Sequence, residues 1–234
     1  TTNGMTYSVT IVGGTATVVL SKAAGITEAQ AATLVNGITY QNTNRDNPSD
    51  GDRVFTLTQI QDNGGGSNVT TLSVTSTVNV NPANDAPVVD LNGPAASGSG
   101  FSTYFNVDTG NAVPIADVDV RITDVDSTNI QSATITLTNA RAGDFFTVAG
   151  SLPAGISYAI SGNVVTLTGS ATLVQYQDAI RLVSFDTTST NGTTRTVTVV
   201  VNDGAANSTS QTTSIAILGA GNRPVIDLDA DDSS

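Results

Sequence analysis

The sequence predicts an all-β protein made of tandem β-sandwich modules, and three observations predict it. Apolar and polar residues alternate with period two in several stretches, the pattern of a sheet with one buried and one wet face. Those stretches end in Gly, Asn and Asp, which supply turn conformations. The chain also repeats itself, and self-similarity at domain spacing is the mark of stacked modules. Composition agrees. Thr and Val suit a pleated, half-buried surface, and the chain has no Trp.

Taken in order, Thr6-Tyr7-Ser8-Val9 opens a strand that resembles Ile156-Ser157-Tyr158-Ala159. Thr27 followed by Glu28-Ala29-Gln30-Ala31-Ala32-Thr33-Leu34-Val35 has a capping Thr and an Ala-rich body, and predicts a short helix. Its counterpart is Ala171 to Ile180, so each module would carry one short helical crossover. Gly37-Ile38-Thr39-Tyr40-Gln41-Asn42-Thr43 resembles Leu182-Val183-Ser184-Phe185-Asp186-Thr187-Thr188. Leu72, Val74, Val78 and Val80 alternate with polar residues, as do Val197, Val199 and Val201. Ser161-Gly162-Asn163 before Val164-Val165-Thr166-Leu167 reads as a hairpin. Gln61-Asp62-Asn63-Gly64 resembles Val201-Asn202-Asp203-Gly204 near the end of a module.

Asn84-Asp85-Ala86-Pro87-Val88-Val89-Asp90-Leu91 and Asn222-Arg223-Pro224-Val225-Ile226-Asp227-Leu228 resemble each other one domain length apart. They divide the chain into the C-terminal part of one module (1–84), a complete module (85–222) and the start of a third (223–234). The chain starts at Thr1 inside a pattern, without signal peptide or initiator Met, and reads as part of something longer.

Charge narrows the chemistry. The net charge is -12, with one Glu and one Lys, so nearly all the acidity is Asp. Short carboxylates concentrate in turns and calcium loops. Such a surface repels nucleic acid and anionic membranes, and no apolar run is long enough to span a bilayer. With no Cys there are no disulfides. With no His there is neither a Ser-His-Asp triad nor His-ligated zinc. Glycosidases pair carboxylates too, but they add sugar-stacking aromatics that a Trp-free chain lacks. The reading is non-enzymatic.

The strongest cluster runs from Ala116 to Ser127. Asp117, Asp119, Asp124 and Asp126 form two Asp-x-Asp pairs. In an extended strand, residues i and i+2 face the same side, so each pair would present two carboxylates to one point. Like charges that close repel unless a cation lies between them, and calcium takes six to eight oxygens from such groups. The plain alternative is a polar strand edge with an Asp turn. Asp203, in the Asn-Asp-Gly turn, is a further candidate ligand, with turn chemistry as its equal rival. Asp62 and Asp186 share that ambiguity, and Asp108 is weaker. Gly64-Gly65-Gly66-Ser67-Asn68 lacks the Asp of a glycine-rich calcium nonapeptide and does not recur.

Asn84-Asp85-Ala86-Pro87, Thr123-Asp124-Val125-Asp126-Ser127 and Val201-Asn202-Asp203-Gly204, in that order, resemble the cadherin-like repeats of giant bacterial adhesins, including RTX-type proteins exported by type I secretion. The resemblance covers nearly the whole chain. It implies a Greek-key sandwich, a bacterial cell-surface location and calcium near module junctions. Asp85, Asp124 and Asp126 would be ligands, with Asp117 and Asp119 nearby. Arg223 stands in the second junction where Asp85 stands in the first, which disfavours a cation there. The expected role is a calcium-stiffened stalk whose partners are neighbouring modules of the same chain. Two other readings are a module that grips polysaccharide or protein, and a filament or surface-layer subunit that polymerises through open strand edges.

Overall fold

The computed structural model describes residues 4–64 and 68–219. The expected third module and the second junction, with Arg223, lie outside the described residues. The chain divides into two compact units, Thr1–Pro82 and Ala83–Ser234. The described residues are mostly β, with several sheets and two helices, consistent with an all-β sandwich.

The second unit contains β5 (Val88–Asp90), β6 (Phe101–Asn106), β7 (Val113–Pro114), β8 (Arg121–Thr123), β9 (Asn129–Leu137), β10 (Asp144–Val148), β11 (Ser157–Ser161), β12 (Val164–Thr172), the helix α2 (Leu173–Arg181), β13 (Val183–Thr187), β14 (Arg195–Asn202) and β15 (Gln211–Leu218). Its main sheet has six strands in the order β11-β12-β9-β14-β15-β6. All pairs are antiparallel except β15 with β6. A three-stranded sheet runs β10-β13-β7, and β5 pairs with β8.

Alternation dictates which face is inside. In β14, Arg195, Val197, Val199 and Val201 are buried while the residues between them are half-buried. Ile135, Leu167 and Ile215 of the large sheet are fully buried with Phe185 of the small one. Phe105 and Phe185 meet edge-to-face at 5.9 Å between ring centroids. Burying a side chain of this size stabilises by about 1.5–3 kcal/mol.

The helix α2 leads from β12 of the large sheet to β13 of the small one. Thr172 caps it: the Gln175 N–H donates to Thr172 Oγ1 at 3.3 Å, and the Thr172 N–H donates to Gln175 Oε1 at 2.9 Å. Tyr176, Ala179 and Ile180 form its buried side. The Tyr176 hydroxyl donates to the Gly169 carbonyl at 2.7 Å, and burial pushes its pKa up to about 12. Gly169 has φ +126° and lies against the Gly155 carbonyl, leaving no room for a Cβ.

The first unit holds the hairpin β1 (Thr6–Val12) and β2 (Thr15–Ser21), the helix α1 (Glu28–Asn36) and the hairpin β3 (Gly51–Gln61) and β4 (Val69–Val80). Each hairpin is a separate two-stranded sheet. The helix expected after Thr27 is present, with a capping box to Gln30. The burial expected from alternation along 72–80 is partial: Leu72, Val78 and Val80 are half-buried, Val74 is 61% exposed, and in this unit Met5 alone among the described apolar residues is fully buried. Alternation selects a face, but only a covering layer buries it, and the described residues of this unit cover it only in part, as where Tyr40 packs on Phe55 with 5.7 Å between ring centroids.

Candidate metal centre

The two Asp-x-Asp pairs occupy turns rather than extended strand. This corrects the expectation that strand geometry aligns their carboxylates. Each first Asp closes its own turn instead, as short carboxylates do. Asp124 Oδ1 accepts the N–H groups of Asp126 at 3.1 Å and Ser127 at 2.9 Å. Asp117 Oδ1 accepts the Asp119 N–H at 3.3 Å. The two pairs belong to two different clusters.

The first cluster gathers three segments of the second unit. The turn after β8 brings Asp124 and Asp126. The segment before β5 brings Asn84 and Asp85. The turn after β14 brings Asp203. The Asp85 N–H donates to Asp126 Oδ2 at 3.1 Å. The Asn84 amide donates to Asp203 Oδ2 at 2.9 Å and to the Asp85 carbonyl at 2.8 Å. Asp203 Oδ1 accepts the N–H groups of Ala205 and Ala206, each at 2.7 Å. So the structure brings together Asp85, Asp124, Asp126 and Asp203, with Asn84 as the link.

Asp124 Oδ2 and Asp126 Oδ1 are buried and have no hydrogen-bond partner. A buried carboxylate oxygen without a donor carries its full desolvation cost. Burial accordingly raises the Asp124 pKa. The N–H groups of Ser127 and Asp126 oppose that shift, and the neighbouring Asp126 carboxyl adds to it. Asp203 behaves oppositely. Burial works against its charge, but donors from Ala206, Asn84 and Ala205 outweigh burial and hold its pKa below the usual carboxylate range.

The second cluster lies between the turn after β5 and the Asp117–Asp119 turn. The Asp117 N–H donates to the Leu91 carbonyl at 2.8 Å, and the Leu91 N–H to the Ser99 carbonyl at 2.8 Å. The Asn92 amide donates to the Ser97 carbonyl at 3.2 Å, while its Oδ1 is buried without a partner. Gly93, at φ +73°, leaves the space into which the Asp119 carboxylate fits, and a Cβ there would collide with it. The Asp119 pKa is raised, first by a hydrogen bond with the Asp117 side chain, then by desolvation and by the charges of Asp117 and Asp90.

Sequence reasoning missed Asp90 and Asn92 as members of this second group. The signal was Asp90 near the end of the repeated Asn84–Leu91 stretch, with Asn92-Gly93 directly after it. It also missed the ion pair of Arg195 with Asp144, at 2.6 Å with both side chains fully buried. Asp144 further accepts from Thr187 Oγ1 and the Arg141 N–H, each at 2.7 Å. Burial opposes its charge, but Arg195, Thr187 and Arg141 together lower its pKa.

Of the secondary candidates, Asp62 Oδ1 accepts the Gly64 N–H at 2.8 Å and Asp186 Oδ1 accepts the Thr187 N–H at 2.7 Å, both local turn or backbone contacts. Asp108 follows Asn106, whose Oδ1 accepts its N–H at 2.9 Å.

No three His, Cys, Asp or Glu side chains among the described residues gather as a ready metal-binding group. A cation in either cluster would need oxygens from Asn side chains, backbone carbonyls and water as well as the paired carboxylates. Calcium, with its high oxygen count and loose geometry, accepts such a mixture. The partnerless oxygens of Asp124, Asp126 and Asn92 fit that role.

No protein-family model matches the chain, and no curated protein matches it.

Proposed function

We propose that this chain is a non-catalytic, extracellular structural segment, made of cadherin-like Greek-key modules, in the stalk of a bacterial surface adhesin. One observation carries the proposal: two carboxylate oxygens, on Asp124 and Asp126, are buried without a donor beside the segment that leads into the module. A hard divalent cation meets that need better than water or a proton at neutral pH.

Asp124 and Asp126 would hold calcium with oxygens from Asn84, Asp85 and Asp203. Asp117 and Asp119 would hold a second ion with Asp90 and Asn92. Calcium supplies charge neutralisation and a fixed set of oxygen contacts between the leading segment and two turns of the module. The residues do the rest. Asn84 ties the leading segment to the Asp203 turn, and the Asp85 N–H ties it to the Asp126 turn. Fixing this segment limits bending where one module meets the next. An acidic, Cys-free chain also suits export unfolded, followed by folding where calcium is plentiful.

Thermal melts of the chain with millimolar calcium and with EGTA test the reading. A ligand that binds only the folded state raises Tm by mass action. We expect a clear rise with calcium that the double variant Asp124→Asn/Asp126→Asn largely loses. Identical melts in calcium and EGTA would remove the calcium mechanism.

A further inference from the structure

The six-stranded sheet of the second unit ends at β11, Ser157-Tyr158-Ala159-Ile160-Ser161, which pairs with β12 and with no other strand among the described residues. Tyr158 stands opposite Leu167, and Ile160 opposite Val165. Residues directly opposite each other share a face of the sheet, so all four side chains point toward the core. Leu167 and Val165 are fully buried, yet Tyr158 is 50% exposed and Ile160 42%. The rim of the core is therefore uncovered along β11. The opposite edge of the same sheet differs, since Phe105 of β6 is fully buried.

Native edge strands usually carry a device that blocks pairing with another chain: a charge, a proline, a bulge or a cover. Four edge strands of this unit have one. β7 contains Pro114, β5 contains Asp90 and β10 contains Asp144. β8 contains Arg121, and its Ile122 N–H donates to Gln177 Oε1 of α2 at 2.8 Å. β11 has none. Its register with β12 runs without a shift, and no charged residue lies between Asp144 and Asp178. On a chain of net charge -12, two copies repel least where such an uncharged stretch meets its like.

Backbone geometry sets the register of that meeting. The two-residue turn Gly162-Asn163 closes on Ser161 and Val164 as a hydrogen-bonded pair. Bonded and non-bonded pairs alternate along an antiparallel ladder, so Ser157, Ala159 and Ser161 bond to β12 while the N–H and C=O groups of Tyr158 and Ile160 point to the open edge. Two β11 strands related by a two-fold axis at Ala159 place Tyr158 of each copy opposite Ile160 of the other. Each of those two pairs exchanges two backbone hydrogen bonds. Ser157 falls opposite Ser161. The strand matches itself, apolar beside apolar and hydroxyl beside hydroxyl.

We propose that β11 is the docking edge for a second copy of this chain. The two β11 strands pair antiparallel about Ala159 and join two six-stranded sheets into one. The contact is isologous, so it closes at two copies and does not propagate. It uses no carboxylate of either cluster and stands apart from the calcium reading. A five-residue strand pair covers less than the about 1,200 Å² at which stable interfaces begin, so the dimer is weak.

Sedimentation equilibrium of the full chain, with hydrogen exchange at low and high concentration, tests this. The average mass should rise from monomer toward dimer, and no further, between about 10 μM and about 1 mM, the range of a weak contact. Over the same range the Tyr158 and Ile160 amides should exchange more slowly while those of β6 do not. Tyr158→Lys places a charge on the edge, and Ile160→Pro removes an outward N–H without touching the β12 ladder. Each should raise the dimer Kd at least about tenfold. The exchange measurement needs no variant, so it decides even where a substitution unfolds the module. A monomer throughout overturns the proposal. So does association that leaves Tyr158 and Ile160 exchanging as before, or that folded forms of both variants retain, because the copies then meet elsewhere.

Discussion

At the residue scale, the contrast is between two kinds of buried carboxylate. Asp144 has Arg195, Thr187 and the Arg141 N–H around it and is fully satisfied. Asp124 and Asp126 each keep one oxygen with nothing to accept from. The two kinds have opposite pH signatures. The lowered pKa of Asp144 contributes stability that is present above its unfolded value, about 3.9, and is lost as pH falls through the folded value. The raised pKa values of Asp119 and Asp124 act the other way in metal-free protein, costing stability as pH rises through them. Replacing Asp144 with Ala leaves Arg195 charged and buried without its partner. Urea unfolding at neutral pH should show a loss of about 3–5 kcal/mol, the usual cost of breaking a buried ion pair from one side. The difference from the unsubstituted protein should shrink as pH falls below about 4, where the unfolded chain takes up the proton that the folded pair resists. A loss within experimental error at neutral pH would mean that the pair is dispensable.

At the scale of elements, local sequence was a good guide where the signal was local. Both helices are present, after Thr27 and Thr172, because a capping Thr with Gln three residues on satisfies orphan N–H groups at the first turn. The Gly162-Asn163 hairpin and the alternation of β14 were legible for the same reason. The Asp-x-Asp segments were not, since Asp124 and Asp117 each bend the chain through their own backbone contacts before any strand register applies. Buried contacts then decide what each element contributes. Thr172→Ala should cost about 1 kcal/mol of global stability, because α2 packs Tyr176, Ala179 and Ile180 into the core. Thr27→Ala removes the same cap from α1, none of whose residues is fully buried. Denaturant midpoints of the two variants should therefore differ, with the second unit's transition unchanged by Thr27→Ala. Equal shifts of that transition would contradict the picture of α1 as a helix without a core.

At the scale of the whole molecule, composition and repeat conveyed an all-β chain. Which distant segments meet was beyond them. Asn84 reaches Asp203 across most of the second unit's sequence, and the Asp119 carboxylate lies against Gly93 where Leu91 bonds to both Ser99 and Asp117. Long-range meetings of this kind are set by strand order, which short motifs do not encode. The account rests most on the two carboxylate clusters being cation sites. Crystals of the chain grown in millimolar calcium, measured at a wavelength where calcium scatters anomalously, test that directly. The account predicts an anomalous peak among Asp124, Asp126 and Asn84, with a second beside Asn92 and Asp119. Ordered water alone at both places, with no anomalous signal, would contradict it.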